Sequence, residues 1–166
     1  EKLPYYERAR EILNYNTRTG EFTRFNKNTG LYEYAGTTTA SGYCRIGLVL
    51  NGIQKKLLAH RIAWFIVHGS LPNMIDHIDG DKTNNSINNL RECSKQQNSF
   101  NRGKTVNNTS GYKGVSWHNE KNKWRAIVTH DGKSLFLGYF NCPKEASEAY
   151  QAKAKELHGE FYNETK

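Results

Sequence analysis

Residues 73–101 read NMIDHIDGDKTNNSINNLRECSKQQNSFN. Residues 73–78 have the apolar content of a brief strand, and 79–89 form a polar loop of Asp, Asn, Gly and Ser. Residues 90–92 suit a short return strand. Ser94 is placed to cap a helix running to about Arg102, with Gln97 three residues later completing a capping box. A strand–loop–strand–helix of this length can fold back so that the helix lies on the hairpin. Asp76, His77 and Asn98 would then meet. Asp76 offers an anionic oxygen and Asn98 a neutral amide oxygen, both hard ligands suited to magnesium or manganese rather than zinc. An octahedral ion held by two protein oxygens keeps about four positions for water and phosphate. Neighbouring strand residues point to opposite faces, so the strand end must twist before Asp76 and His77 address one phosphate.

Charge places this stretch in context. The chain has 166 residues with a net charge of +8, yet residues 76–92 carry −2 between two segments of +5 each. A basic chain meets polyanions, nucleic acid first among them. Carboxylates inside a basic protein repel phosphate unless a cation lies between, which is expected of a metal-dependent nuclease. Apolar residues make up 36%, too few for one large core. No stretch approaches the roughly 18 consecutive apolar residues of a membrane span. Cys44, Cys93 and Cys142 are isolated, which argues against a disulfide framework and a cysteine-based zinc site. The positions of Asp79, Gly80 and Asp81 do not follow the EF-hand order, so Asp79 is read as tightening the loop.

Upstream, residues 5–13 suit a short helix, 14–20 a turn, 21–25 a strand and 26–30 another turn. Residues 43–50 (YCRIGLVL) and 53–59 flank Asn51-Gly52, a strong hairpin signal. These basic, aromatic-bearing ribbons suit either a nucleic-acid groove or a plain scaffold. Residues 61–68 (RIAWFIVH) are apolar nearly all round, and Gly69 then Pro72 stop what should be a buried helix. Downstream, residues 103–110 read as a linker. Three strands follow at 114–118, 123–129 and 134–140. Pro143 opens a helix to about His158, with Ala146, Ala149, Tyr150 and Leu157 as its apolar stripe. Such a helix can cover only one face of the sheet.

Residues 60–101 resemble the HNH endonuclease family of ββα-metal nucleases, in its phage and homing branch. The matching text is His60-Arg61, DHIDGDKTNN (76–85), NNLR (88–91) and QQNSFN (96–101). The resemblance implies a cytoplasmic enzyme of a phage-infected or bacterial host cell. It assigns His77 as general base, Asp76 and Asn98 as ligands of one magnesium or manganese ion, and Asn89 as the residue that holds the loop and orients the histidine. Asn98 departs from the histidine common at that position, which should weaken resting metal affinity. No zinc is expected. The implied reaction is phosphodiester hydrolysis leaving 5′-phosphate and 3′-hydroxyl. Arg61 is assigned to a phosphate contact and His60 to bracing the active-site helix.

Residues 110–162 resemble the plant APETALA/ethylene-response-factor DNA-binding domain through SGYKGVSW (110–117), KWRAIV (123–128), LGYF (137–140) and EASEAY (145–150). The resemblance implies a three-stranded sheet in the major groove of double-stranded DNA. Strand alternation puts Lys113, Ser116, His118, Lys123, Arg125, Thr129, Ser134 and Phe136 toward the groove. Trp117 stacks on a sugar or packs at the sheet edge. The expected protein is an α+β monomer. Its parts are a β-rich arm (1–59), the HNH ββα-metal unit (60–102), a linker (103–110) and a three-stranded antiparallel sheet backed by one helix (111–166). The leading function is a nicking, homing-type DNA endonuclease. The alternatives are a non-catalytic DNA-binding regulator with a degenerate HNH loop, and an RNA-binding or protein-bridging module.

Overall fold

The computed structural model describes residues 3–101 and 107–162. Arg102 and residues 103–106 of the linker lie outside the described residues. The elements are α1 (Leu3–Ile12), β1 (Leu13–Tyr15), β2 (Phe22–Asn26), β3 (Leu31–Tyr34), β4 (Thr37–Thr38), β5 (Cys44–Leu50), β6 (Ile53–Leu58), α2 (Ala59–His68), β7 (Ile75–His77), β8 (Leu90–Glu92), α3 (Lys95–Phe100), β9 (Val115–His118), β10 (Lys123–His130), β11 (Lys133–Phe140) and α4 (Pro143–His158). The class is α+β. The chain divides into two compact units, Glu1–Cys93 and Ser94–Lys166. The sequence reading ends its catalytic unit after Arg102, whereas the contacts group α3 with the second unit.

In the first unit, β1-β2-β3 and β4-β5-β6 form two three-stranded sheets, and β7 pairs with β8. The β5–β6 turn is Asn51-Gly52, with φ of 51° and 76°. Both values are left-handed, as a two-residue turn matching strand twist requires. α2 buries Ala59, His60, Ile62, Ala63 and Phe65 against Tyr6, Ile46, Leu48 and Leu57 of α1 and the hairpin. Gly69, at φ 70°, ends the helix by donating its N–H to Phe65 O, the stop expected from sequence. Three strands, β1, β3 and the two-residue β4, were not anticipated. β1 lies in what reads as the end of a helix and a turn. β3 is exposed at all four positions, so it lacks the alternation that reveals a half-buried strand.

In the second unit, β9, β10 and β11 form an antiparallel sheet in the order β11-β10-β9. Ala126 and Val128 of β10 are fully buried and face Ala146, Tyr150 and Ala154 of α4. Tyr150 is core, and burial pushes its hydroxyl up to about 12. The sheet's other face is not covered by α4. A bulge interrupts the β10–β11 register between Ala126 and Ile127. Leu137 is the extra residue, and its side chain joins the apolar cluster under α4.

The short helix α3 is capped as its sequence predicts. Ser94 accepts from Gln97 N, and the Gln97 side chain accepts from Ser94 N. Six residues cannot hold a helix in water without tertiary support. That support comes from within the second unit. The Phe100 ring stacks on His158 at 3.7 Å and 5°, and on His130 at 5.7 Å and 18°. Lys113 Nζ donates to Phe100 O at 2.6 Å, and Gln96 Nε2 donates to Asp131 Oδ1 at 2.8 Å.

Candidate active site

β7 is buried at all three positions. Its partner β8 sets Asp76 opposite Arg91 and His77 opposite Leu90. Asp76 and His77 are 5% and 4% exposed, which an unpaired charge would not tolerate. Asp76 Oδ2 accepts from Arg91 Nε and Nη2 at 3.1 and 2.9 Å. His77 is enclosed by rings. His60 stands edge-on to it with centroids 5.0 Å apart, and Tyr43 lies 6.1 Å from His77 and 5.5 Å from His60. Burial lowers the pKa of His77 below its ordinary 6.5, against the pull of Asn85 and the neighbouring aspartates. Burial, His77 and Arg61 push His60 down to about 3.

The loop after β7 is tied by its own side chains. Asn89 Oδ1 accepts from Asp79 N at 3.0 Å, and its Nδ2 donates to Asp79 Oδ1 and Asn84 O, each at 2.9 Å. Asp79 also accepts from Asp81 N and Asn84 Nδ2. Asn89 therefore ties the loop together through Asp79 and Asn84. The residue that touches the imidazole is another asparagine: Asn85 Oδ1 lies 3.3 Å from His77 Nε2. The sequence reading treats Asn85 as a turn residue. Only its position, eight residues after His77, could have marked it.

The β1–β2 turn supports Asn85 from below. Tyr15 Oη donates to Asn85 O at 2.8 Å, and Thr17 O accepts from Ser86 Oγ and Ile87 N. At Gly20, with φ at 79°, a Cβ would overlap the backbone of Asn85 and Ser86. Lys82, the one cation of the acidic loop before Arg91, places Nζ over the Tyr43 ring at 4.8 Å and donates to Ser41 O at 3.0 Å. Its isolation among aspartates was the available signal, and the sequence reading did not use it.

Other predicted positions distribute as follows. Asp76, His77 and Asn89 come together in the first unit, while Asn98 sits on α3 in the second. Arg61 donates to Pro72 O at 3.1 Å and lines a cleft of about 470 Å³ with Arg45 and Lys56. On the second unit's sheet, Ser116, His118, Lys123, Arg125, Thr129, Ser134 and Phe136 share the face away from α4 by register. Trp117 pairs instead with Trp124, on the α4 side, at 5.2 Å and 71°. Lys113 is half-buried, with its ammonium on the Phe100 carbonyl. Tyr139, opposite Arg125, joins the outer face without having been anticipated.

The HNH endonuclease family profile matches residues 57–100, the span from the end of β6 to the end of α3. Protein 3.8 of Escherichia phage T7 is 36% identical over 104 residues, which is 61% of this chain and 85% of that protein. The chain belongs to the HNH endonuclease family. An uncharacterized HNH endonuclease of Acanthamoeba polyphaga mimivirus is 35% identical over 109 residues, covering 64% of this chain and 56% of the viral protein. Among solved structures, the HNH homing endonuclease I-HmuI aligns with a TM-score of 0.45 and 24% identity, over 82% of this chain and 76% of that one.

Proposed function

We propose that this HNH protein is a metal-dependent, homing-type endonuclease that nicks double-stranded DNA as a monomer. Residues 1–59 serve as its arm, 60–102 as the catalytic unit and 103–110 as the connection. Residues 111–166 form an ethylene-response-factor-like reader. The observation that carries the reading is the hydrogen bonding of His77. Asn85 Nδ2 donates to Thr83 O at 3.0 Å, which turns Oδ1 toward the imidazole. An amide oxygen only accepts, so His77 Nε2 carries the proton and Nδ1 keeps its lone pair. Burial favours the neutral ring. The residue is thus a preset base.

His77 Nδ1 takes the proton of a water molecule, and the hydroxide attacks phosphorus in line with the departing 3′ oxygen. A positioned base contributes roughly 10²–10⁴-fold. A divalent ion, when bound, supplies charge stabilisation at the phosphate and the leaving oxygen. The two assigned donors are oxygens, a chemistry that suits a hard, largely hydrated cation. Asp76 and Asn98 offer oxygens, and among the described residues no three His, Cys, Asp or Glu side chains cluster into a cage. Magnesium and manganese accept such sparse sets and retain several waters. Arg91 neutralises Asp76 meanwhile, so the ion must compete with a guanidinium. Arg45, Lys56 and Arg61, converging on one cleft without an acid among its lining residues, suit a phosphate backbone.

The test is conversion of supercoiled plasmid to open circle by the full chain with magnesium, beside His77→Ala and a chelator control. Open circle from wild type alone supports the proposal. Equal cutting by His77→Ala removes the base, and no cutting by wild type favours a DNA-binding protein without catalysis.

A further inference from the structure

The outer face of the second unit's sheet is more aromatic than cationic. Phe136 is 50% exposed and Tyr139 37%, and their rings meet at 4.9 Å and 59°. His118 packs edge-on against Tyr139 at 5.1 Å and 77°. Regular alternation would put residues 136 and 138 on one face. The bulge turns Leu137 into the core and brings residues 136 and 139 to the same side. Phe136 then stands opposite Ile127, and Tyr139 opposite Arg125. A bulge re-aims side chains in this way, and here it builds an apolar patch on the face α4 leaves open.

The surroundings identify the occupant by charge. On this face the strands carry Lys123 and Arg125 and no Asp or Glu, whereas Lys133, opposite His130, falls on the α4 side by register. An apolar patch among cations matches the major groove of duplex DNA, where phosphate rails flank the base edges. Guanine is read there chiefly by paired donors of arginine or lysine. Arg125 is the sheet's one arginine. It is half-buried, and its Nη2 donates to Ser116 Oγ at 3.3 Å. The apolar feature of a major groove is the C5-methyl of thymine.

We propose that Ile127, Phe136 and Tyr139 form a thymine-methyl reader, so that the protein prefers duplex sites with clustered thymines. This rests on the reading of the second unit as a duplex-DNA binder. Removing a contacted methyl should weaken binding about fourfold, the cost of one exposed methylene-sized group.

The experiment uses the full chain in chelator, so that nothing is cut. The best duplex is selected from a random pool and remade with uracil for thymine. The expected result is a loss of about fourfold per contacted position, recovered when the duplex carries thymine again. Phe136→Ser should bind thymine and uracil duplexes alike, whereas Phe136→Leu, still apolar, keeps the preference. Equal affinity for the two duplexes in wild type overturns the methyl reader. If Lys123→Ala and Arg125→Ala still weaken binding in that case, the DNA-binding reading survives it. If those two variants leave duplex affinity unchanged, or single strands bind more tightly than duplex, the face is not a groove reader and both ideas fall.

Discussion

His60 and His77 meet edge to face, with ring centroids 5.0 Å apart and planes at 84°. One imidazole begins α2 and the other ends β7. His60 is 6% exposed, and its Nδ1 has no hydrogen-bond partner among the described residues. Two protonated rings at this distance would repel inside a poorly hydrated pocket. Burial favours the neutral form of both rings.

A pH dependence of stability follows. His60 is driven to about 3, from an ordinary value of 6.5. The folded state therefore holds fewer protons than the unfolded chain in the window between. Its contribution is complete above about 6.5 and is lost as pH falls toward 3, with a limiting slope of about 1.4 kcal/mol per pH unit for one proton. Thermal melts between about pH 7.5 and 5 should show this loss, and His60→Phe should flatten it. An unchanged acid slope in His60→Phe would place the proton uptake elsewhere.

Asn85 Oδ1 lies 3.3 Å from His77 Nε2, an acceptor that favours the proton on that nitrogen. Asn85→Ala removes the acceptor at Nε2 and should lower kcat about tenfold, in line with about 0.5–1.5 kcal/mol for one hydrogen bond. DNA affinity should be unchanged, because Asn85 is buried. Single-turnover cleavage and equilibrium binding separate the two effects. A weaker DNA complex at normal kcat would contradict this role.

Arg91 and Asp76 form a pair whose side chains are 14% and 6% exposed. Arg91→Met leaves a buried carboxylate without its guanidinium, at a cost of about 3–5 kcal/mol. Magnesium or manganese should restore part of the lost melting temperature, because the ion replaces the missing charge. Melting curves with and without the ion check this, and equal curves would mean that Asp76 does not bind it.

Phe100 stacks on His158 and also meets His130, which itself lies 6.0 Å from His158, and it is 8% exposed. Phe100→Ala should destabilise the second unit by about 3–5 kcal/mol and loosen α3. Proteolysis should then cut near residues 95–101 at a rate well above wild type. Unchanged protection would show that α3 is held by its capping box alone.

Much of the architecture was legible in the chain because it is governed by neighbours in sequence. Asn51-Gly52 specifies a turn, Ser94 with Gln97 specifies a helix start, and Gly69 specifies a helix end. Each interaction closes within a few residues. Alternation along β10 likewise separates Ala126 and Val128 from Arg125 and Thr129. β3 escaped because a strand exposed on every residue carries no periodic mark.

In the sequence, the strand–loop–strand–helix spacing marked Asp76, His77 and Asn98 as candidates, and the family resemblance added Asn89. Tertiary structure decided what surrounds them. The touch of Asn85 on His77, the His60–Tyr43 enclosure and the Arg91 clamp each join groups whose approach depends on how sheets and helices stack. One inserted residue at Leu137 decided that Tyr139 faces outward, because a bulge reverses the parity of everything beyond it. Local chemistry writes turns and caps into a linear message, whereas a site is made of distances between side chains that only a packed core can set.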